Sequence, residues 1–206
     1  MGSKERQDRE RQAVTDSILD AARELFLAEG YQSVSIRKIA ERIEYSPAAI
    51  YSYYPSKDDI FLALAKEGFH RPAAKVNAAM GTGDALEDVR ACWWAFYEFS
   101  KEQPEYFLLM FVDRSVPRIT QQWEGFEFLQ QLLNNAVAGI QKAIDAGVFP
   151  ATLNANAGMH MLWAGLIGPA VVGIRHRLAT GEDYDALARD VLNANIAGMR
   201  AGVAST

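Results

Sequence analysis

Hydroxyl side chains crowd residues 46–57: Ser46, Tyr51, Ser52, Tyr53, Tyr54 and Ser56, closing on Lys57. Tyr and Ser hydroxyls at this density can reach phosphate oxygens, and the small Ala48 and Ala49 let a backbone lie close to base edges. Lys57 falls near a helix start, where a cation does nothing for the dipole. A phosphate would give it a partner. Covalent chemistry finds no comparable support. Three scattered histidines, the single Cys92 and the lack of a Gly-rich phosphate loop supply no nucleophile–base pair or cofactor cradle at recognisable spacing. Glu67-Gly68-Phe69-His70 is a Glu-x-x-His, but a di-metal bundle needs a second copy and two more glutamates, and the chain has no second copy. No metal and no cofactor are expected.

The elements that position these hydroxyls are short. Ile36, Ile39, Ala40 and Ile43 recur at i, i+3, i+4 and i+7, one apolar stripe on a helix of about two turns. Glu44 and Tyr45 end the pattern. Ser46 stands where an N-cap is wanted, and Pro47 at the first helical position, which has no N–H partner to lose. The second helix, over residues 47–54, is barely long enough to exist alone. Its role is to be held against a surface by the helix before it, as in a helix-turn-helix whose second helix enters the major groove. Pro55 ends it, Ser56 caps the next helix, and Asp59 occupies the return position of a capping box.

Ile39-Ala40-Glu41, the turn, and Ser46-Pro47-Ala48-Ala49-Ile50-Tyr51-Ser52-Tyr53-Tyr54-Pro55-Ser56-Lys57-Asp58 together resemble the DNA-binding signature of the tetracycline-repressor (TetR) family. Ahead of them, Ile18-Leu19-Asp20-Ala21-Ala22-Arg23-Glu24-Leu25-Phe26 and Gly30-Tyr31 resemble that family's first helix and its exit. The resemblance covers residues 14–64. It implies an all-α protein: an N-terminal three-helix domain containing the helix-turn-helix, then a larger helical ligand-binding and dimerisation bundle. It also implies DNA contacts from Ser35 and Arg37 on the first helix, from Pro47, Ala48, Ala49, Tyr51 and Tyr53 on the second, and from Lys57. Arg37 is the candidate for a base contact, and Tyr51 and Lys57 for phosphates. Tyr51 as a buried brace between helices is the alternative. One residue departs from the pattern: the family commonly has glycine in the turn, and this chain has Glu44. Either the turn forms without positive φ there, or strain of about 1–2 kcal/mol is tolerated.

The chain of 206 residues is half apolar and rich in Ala, Leu, Glu, Arg and Met, without recurrent strand-like alternation. One cysteine excludes an internal disulfide and fits a reducing cytoplasm. No signal peptide is evident, and Arg6 occupies the Ser/Thr position of a myristoylation motif. The formal net charge is −5. Residues 1–60, the expected DNA-binding domain, carry nine Lys/Arg against eleven Asp/Glu. Within residues 33–57 the balance reverses: Arg37, Lys38, Arg42 and Lys57 against Glu41 and Glu44, or +2. Any nucleic-acid footprint is therefore local. The mixed-charge leader of residues 4–11 reads as a solvated, partly disordered tail, or as an arm reaching a minor groove through Arg6, Arg9 or Arg11. Thr15 or Asp16 is placed to cap the first helix, Ile18, Ala22 and Leu25 form its inner stripe, and Gly30 ends it.

Residues 61–206 form the expected second domain. Gly81-Thr82-Gly83 breaks the chain, and Asp84 with Glu87 makes a capping-box variant. Aromatics then accumulate beyond the needs of a small bundle. Candidate ligand contacts are Trp93, Trp94, Tyr97, Phe107, Met110, Phe111, Trp123, Phe126, His160 and Trp163, with Glu98, Asp113, Arg114 or Arg118 as polar anchors. Residues 156–174 carry no formal charge and approach the length of a membrane span. His160, Asn156, Pro169 and the lack of a second span argue instead for a helix buried in a dimer. Gly158, Gly165, Gly168 and Gly173 would allow close approach, and Leu187, Val191, Ala194 and Gly198 supply a matching stripe. The expected function is a ligand-responsive, DNA-binding transcriptional regulator, a repressor. Its homodimer would read a palindromic double-stranded operator and be released by a small apolar or aromatic effector, with no membrane partner. The alternative is a helical enzyme using the aromatic body as an active site.

Overall fold

The computed structural model describes residues 3–79, 81–112, 127–174 and 182–203. Trp123, Phe126, Asp113, Arg114 and Arg118 lie outside the described residues. Among those described, the chain is helical, with one 3-10 turn and no strand. Two compact units divide it: Met1–Gly68 with Glu105–Thr120, and Phe69–Pro104 with Gln121–Thr206.

The first unit opens with α1 (Ser3–Glu29). The leader is thus the start of a long helix rather than a tail. Arg6 pairs with Glu10 at 2.8 Å and Gln12 with Asp16 at 2.7 Å, both one turn apart. The helix begins well before Thr15 and Asp16, so neither caps it. Thr15 Oγ1 donates to the Arg11 carbonyl at 3.0 Å instead. Ile18, Ala22 and Phe26 are buried, and Gly30 closes the helix at φ 80°, its N–H bonding to the Phe26 carbonyl at 2.9 Å. A 3-10 turn (Tyr31–Ser33) leads to α2 (Ile36–Arg42), α3 (Pro47–Tyr51) and the first half of α4 (Lys57–Ala79). Ile39, Ala40, Ile50, Ile60, Phe61 and Leu64 complete the small core.

α6 (Pro104–Phe111), apart from its first residue, belongs to this same unit. Tyr106, Phe107 and Leu109 are buried. Arg23 on α1 donates to the Tyr106 hydroxyl at 2.8 Å. Tyr106 also lies so close to Gly68 that a β-carbon there would stand 2.7 Å from its ring and 2.5 Å from Met110 Cε.

The second unit contains α5 (Ala85–Glu102), α7 (Glu127–Asp145), α8 (Ala155–Ile174) and α9 (Tyr184–Arg200), with α8 packed on the other three. Asp84 caps α5 by accepting from the Leu86 and Glu87 amides at 2.8 and 3.2 Å, and Asp183 caps α9 through the Ala186 amide at 2.9 Å. Among the described residues, α8 alone is long and apolar enough to cross a membrane, at a mean hydropathy of 1.5. One face of it is buried in this chain, through Gly158, Met159, Leu162, Leu166, Pro169 and Ala170. Its glycines admit another helix, as expected, and that helix is the chain's own. Gly158 faces Met199, Gly165 faces Asn195 and Val191, and Gly173 faces Tyr184. They admit α9, or the residue opening it, from the same chain, because helices joined by a short connection pack first on each other. Of the four, Gly168 alone looks onto open space.

Candidate nucleic-acid interface

Local chemistry builds α2 and α3 almost completely. Ser35 caps α2, its hydroxyl accepting from the Lys38 amide at 3.2 Å. The far end closes as a Schellman motif: the Tyr45 amide reaches back to the Ala40 carbonyl at 2.9 Å, and the Glu44 amide to that of Glu41 at 3.4 Å. This motif requires a left-handed residue between its arms, and Glu44 supplies it at φ 59°. Strain is tolerated; the turn is not rebuilt. Ser46 then caps α3 by accepting from the Ala49 amide at 3.1 Å, with Pro47 at the first helical position. α3 is shorter than the pattern suggests. It stops at Tyr51, where Ser52 turns its hydroxyl to the Ala49 carbonyl at 2.6 Å and competes with the next helical bond.

Ile50 alone on α3 is fully buried, and it anchors the helix. Around it Ser35, Arg37, Tyr45, Ser46, Pro47, Ala48, Tyr51 and Ser52 are exposed. Tyr51 is 54 % exposed, a position that presents its hydroxyl to solvent rather than bracing two helices. Tyr53 is half-buried beneath the Arg11 guanidinium, 4.8 Å from its ring centre. Ala49 is likewise half-buried.

Lys57 is not the isolated cation its sequence position suggests. Its ammonium donates to the Tyr31 and Val34 carbonyls at 2.7 and 2.9 Å and sits 4.1 Å from the Tyr31 ring centre. Burial pushes its pKa down, opposed by Asp58. The Tyr31 hydroxyl donates to Asp58, and burial foremost pushes that phenol upward. Lys57 therefore ties the start of α4 to the loop before α2, with one N–H left to offer. The remaining cations also have partners. Arg37 pairs with Glu41 at 2.9 Å, Arg42 with Glu24 at 2.8 Å, and Lys38 with Glu29. Sequence reasoning missed Glu24 and Glu29 because they come from another helix.

The candidate ligand residues separate into groups. Trp93 and Tyr97 are buried on α5, with the Tyr97 hydroxyl donating to Asp185 at 2.9 Å; Trp94 is half-buried and donates to Glu98 at 3.1 Å. Phe107, Met110 and Phe111 belong to the first unit, where the rings of Phe107 and Phe111 lie 5.0 Å apart. His160 and Trp163 are on the exposed face of α8. A cleft of about 40 Å³ between α5 and α7 is lined by Asp88, Cys92, Trp93, Asn135 and Lys142 among others. It has room for a few waters and is well below the 300 Å³ or so of a drug-sized site. Burial pushes the Cys92 thiol there up to about 11.

The family model of bacterial regulatory proteins, tetR family, matches residues 18–64, the stretch that folds into the capped helices just described. These residues are similar to the DNA-binding part of that family. A transcriptional repressor, AcnR of Corynebacterium diphtheriae, is 35 % identical to this chain over 74 residues, 36 % of the chain and 38 % of that relative. The chain thus matches well under half the length of this curated relative. Solved structures extend the likeness in fold alone. The fatty acid degradation regulator FadR of Bacillus halodurans superposes with a TM-score of 0.71 at 19 % identity, covering 90 % of this chain and 96 % of that one. FadR of Bacillus subtilis, in complex with stearoyl-CoA, gives 0.70 at 18 % identity over 88 % and 97 %.

Proposed function

We propose that this chain is a tetR-family, cytoplasmic, ligand-responsive transcriptional repressor acting as a homodimer on a palindromic operator. The observation that carries the reading is the Schellman turn at Glu44, which sets a five-residue α3 on the surface with one buried anchor and Pro47, Ala48 and Tyr51 outward. A helix so short has no use in a core. In a major groove its small first turn admits close approach, while Ser35, Arg37, Tyr51 and Tyr53 reach bases and phosphates. Lys57 has one N–H left for a phosphate.

Dimerisation through α8 and α9 fits the uncharged outer surface of α8 and the small apolar residues exposed on α9. Trp163 and Leu187 are each 36 % exposed, and Ala164, Gly168, Ala194 and Ala197 are exposed beside them. The two-fold would place the α3 helices about 34–36 Å apart or at a multiple of that distance. An apolar or aromatic effector suits the aromatic load of α5, and a fold relative holding stearoyl-CoA supports the same class. The present cleft is too small for such a molecule. Its binding therefore requires opening of the second unit, and a coupling of about 1–3 kcal/mol changes DNA affinity 5- to 150-fold.

The test is a mobility-shift titration with DNA from around the protein's own gene, alongside light scattering. A dimer selecting one symmetric site over bulk genomic fragments supports the reading. A monomer, or a dimer without that preference, overturns it.

A further inference from the structure

α2 carries three cations, and each lies against a carboxylate rather than open to solvent alone. Arg37 Nε stands 2.9 Å from Glu41 on the same helix. Arg42 is 2.8 Å from Glu24, eighteen residues away on α1, and Lys38 bonds Glu29, nine residues away on α1. With Lys57 engaged by two backbone carbonyls, all four cations of residues 33–57 have internal partners. The fold brings two further anions to this surface. Four cations against Glu41 and Glu44 become four against four once Glu24 and Glu29 are included. Glu24 and Glu29 thus offset the +2 of residues 33–57, while Arg11, over the Tyr53 ring, adds one cation.

We propose that Glu24, Glu29 and Glu41 restrain the protein's affinity for DNA by holding the α2 cations away from phosphates, so that binding depends on what α3 reads. This rests on the DNA-binding reading above. The first helix of a helix-turn-helix crosses the sugar–phosphate backbone, so its cations are the natural source of sequence-independent attraction. Each cation held by a carboxylate releases fewer counterions, and non-specific binding falls before specific binding does. All three pairs are substantially exposed, with side-chain exposures of 80 and 61 % for Arg37–Glu41, 59 and 60 % for Arg42–Glu24, and 43 and 32 % for Lys38–Glu29. Such pairs are weak enough for a phosphate to compete, so the restraint is graded: about two- to fivefold in affinity per pair.

The experiment measures anisotropy of a labelled duplex of arbitrary sequence, titrated with the full chain between about 50 and 200 mM salt. Circular dichroism checks that each variant is folded. Glu24→Gln with Glu29→Gln and Glu41→Gln is expected to bind this duplex roughly tenfold tighter or more, with a log–log salt slope steeper by up to about 0.9 for each cation released. A double-mutant cycle separates release of a cation from simple loss of negative charge. Arg42→Gln should lower affinity less than about twofold in the native background, and about two- to fivefold in the Glu24→Gln background. Glu44→Gln removes an anion of the same surface that has no cation partner among the described residues, and should show no such coupling to Arg42. Equal losses from Arg42→Gln in both backgrounds, or a triple variant that binds no tighter, overturn the proposal while leaving DNA binding intact. Folded proteins that bind no duplex at low salt, native and variant alike, overturn both.

Discussion

Replacing Glu44 with glycine tests the turn on which the DNA-reading surface depends. Glu44 sits at φ 59° between the two arms of a Schellman motif whose hydrogen bonds come from the backbone, so Glu44→Gly leaves them in place. Removing the β-carbon relieves left-handed strain of about 1–2 kcal/mol. Against this, glycine gives the unfolded chain more freedom, worth about 0.4–1 kcal/mol. The net gain is about 0.5–1 kcal/mol, and at roughly 2–4 °C per kcal/mol for a chain of this size the melting temperature should rise by about 1–4 °C. The same change removes an anion. A carboxylate about 10 Å from one phosphate in water is repelled by about 0.4 kcal/mol, so duplex DNA should bind about twofold tighter at low salt and less so as salt rises. Glu44→Ala divides the two effects: it removes the charge but keeps the β-carbon at positive φ, so it should tighten binding without raising the melting temperature. Thermal melts by circular dichroism and anisotropy titrations on one duplex read both. A lower melting temperature together with weaker binding for Glu44→Gly would refute the reasoning.

Two further outcomes follow from single contacts. Gly68→Ala places a β-carbon against the Tyr106 ring, whose hydroxyl Arg23 holds, and should destabilise the chain by about 1–3 kcal/mol in urea titrations. Alanine is the better helix former by about 1 kcal/mol, so a gain in stability would mean that Tyr106 swings aside freely. Asp185 has its pKa lowered, first by the hydrogen bond from Lys101, which outweighs the upward push of burial, and then to a lesser degree by the hydrogen bond from Tyr97. A carboxylate depressed by folding stabilises above its ordinary pKa and loses that contribution as pH falls through the lowered folded value. Asp185→Asn should therefore lower the urea midpoint at neutral pH, by under about 1 kcal/mol for so exposed a pair. The gap should hold down to about pH 4 and close below it. A gap that widens on acidification would show that the Lys101–Asp185 pair does not stabilise the fold.

Much of the reading surface is legible in residue order. Ser46, Ser56 and Asp84 each cap the helix that follows, by bonds spanning two or three residues. Spacing decides such bonds, so the sequence reveals them. The tension at Glu44 is legible only through the family resemblance, in which glycine is common in the turn, and the backbone decides it in favour of positive φ. Helix extents are less so. α1 reaches back to Ser3 because side chains one turn apart support one another, while α3 ends early because Ser52 draws off a carbonyl. Neither outcome follows from an apolar stripe.

By itself the sequence determined the all-helical class and the short helices α2 and α3, because each is a matter of neighbours within a turn or two of chain. The left-handed turn at Glu44 was settled only by the folded backbone. Only the tertiary structure decided how the charges and aromatics combine. Lys57 finds its carbonyls 26 and 23 residues back along the chain, and Glu24 and Glu29 cross from α1 to cancel the charge of α2. Phe107 and Met110 join the N-terminal helices instead of Trp93 and Tyr97. The reason is range. A hydrogen bond within a turn is fixed by the order of residues, whereas an ion pair or a packed ring between helices depends on where one helix crosses another, which no local pattern records.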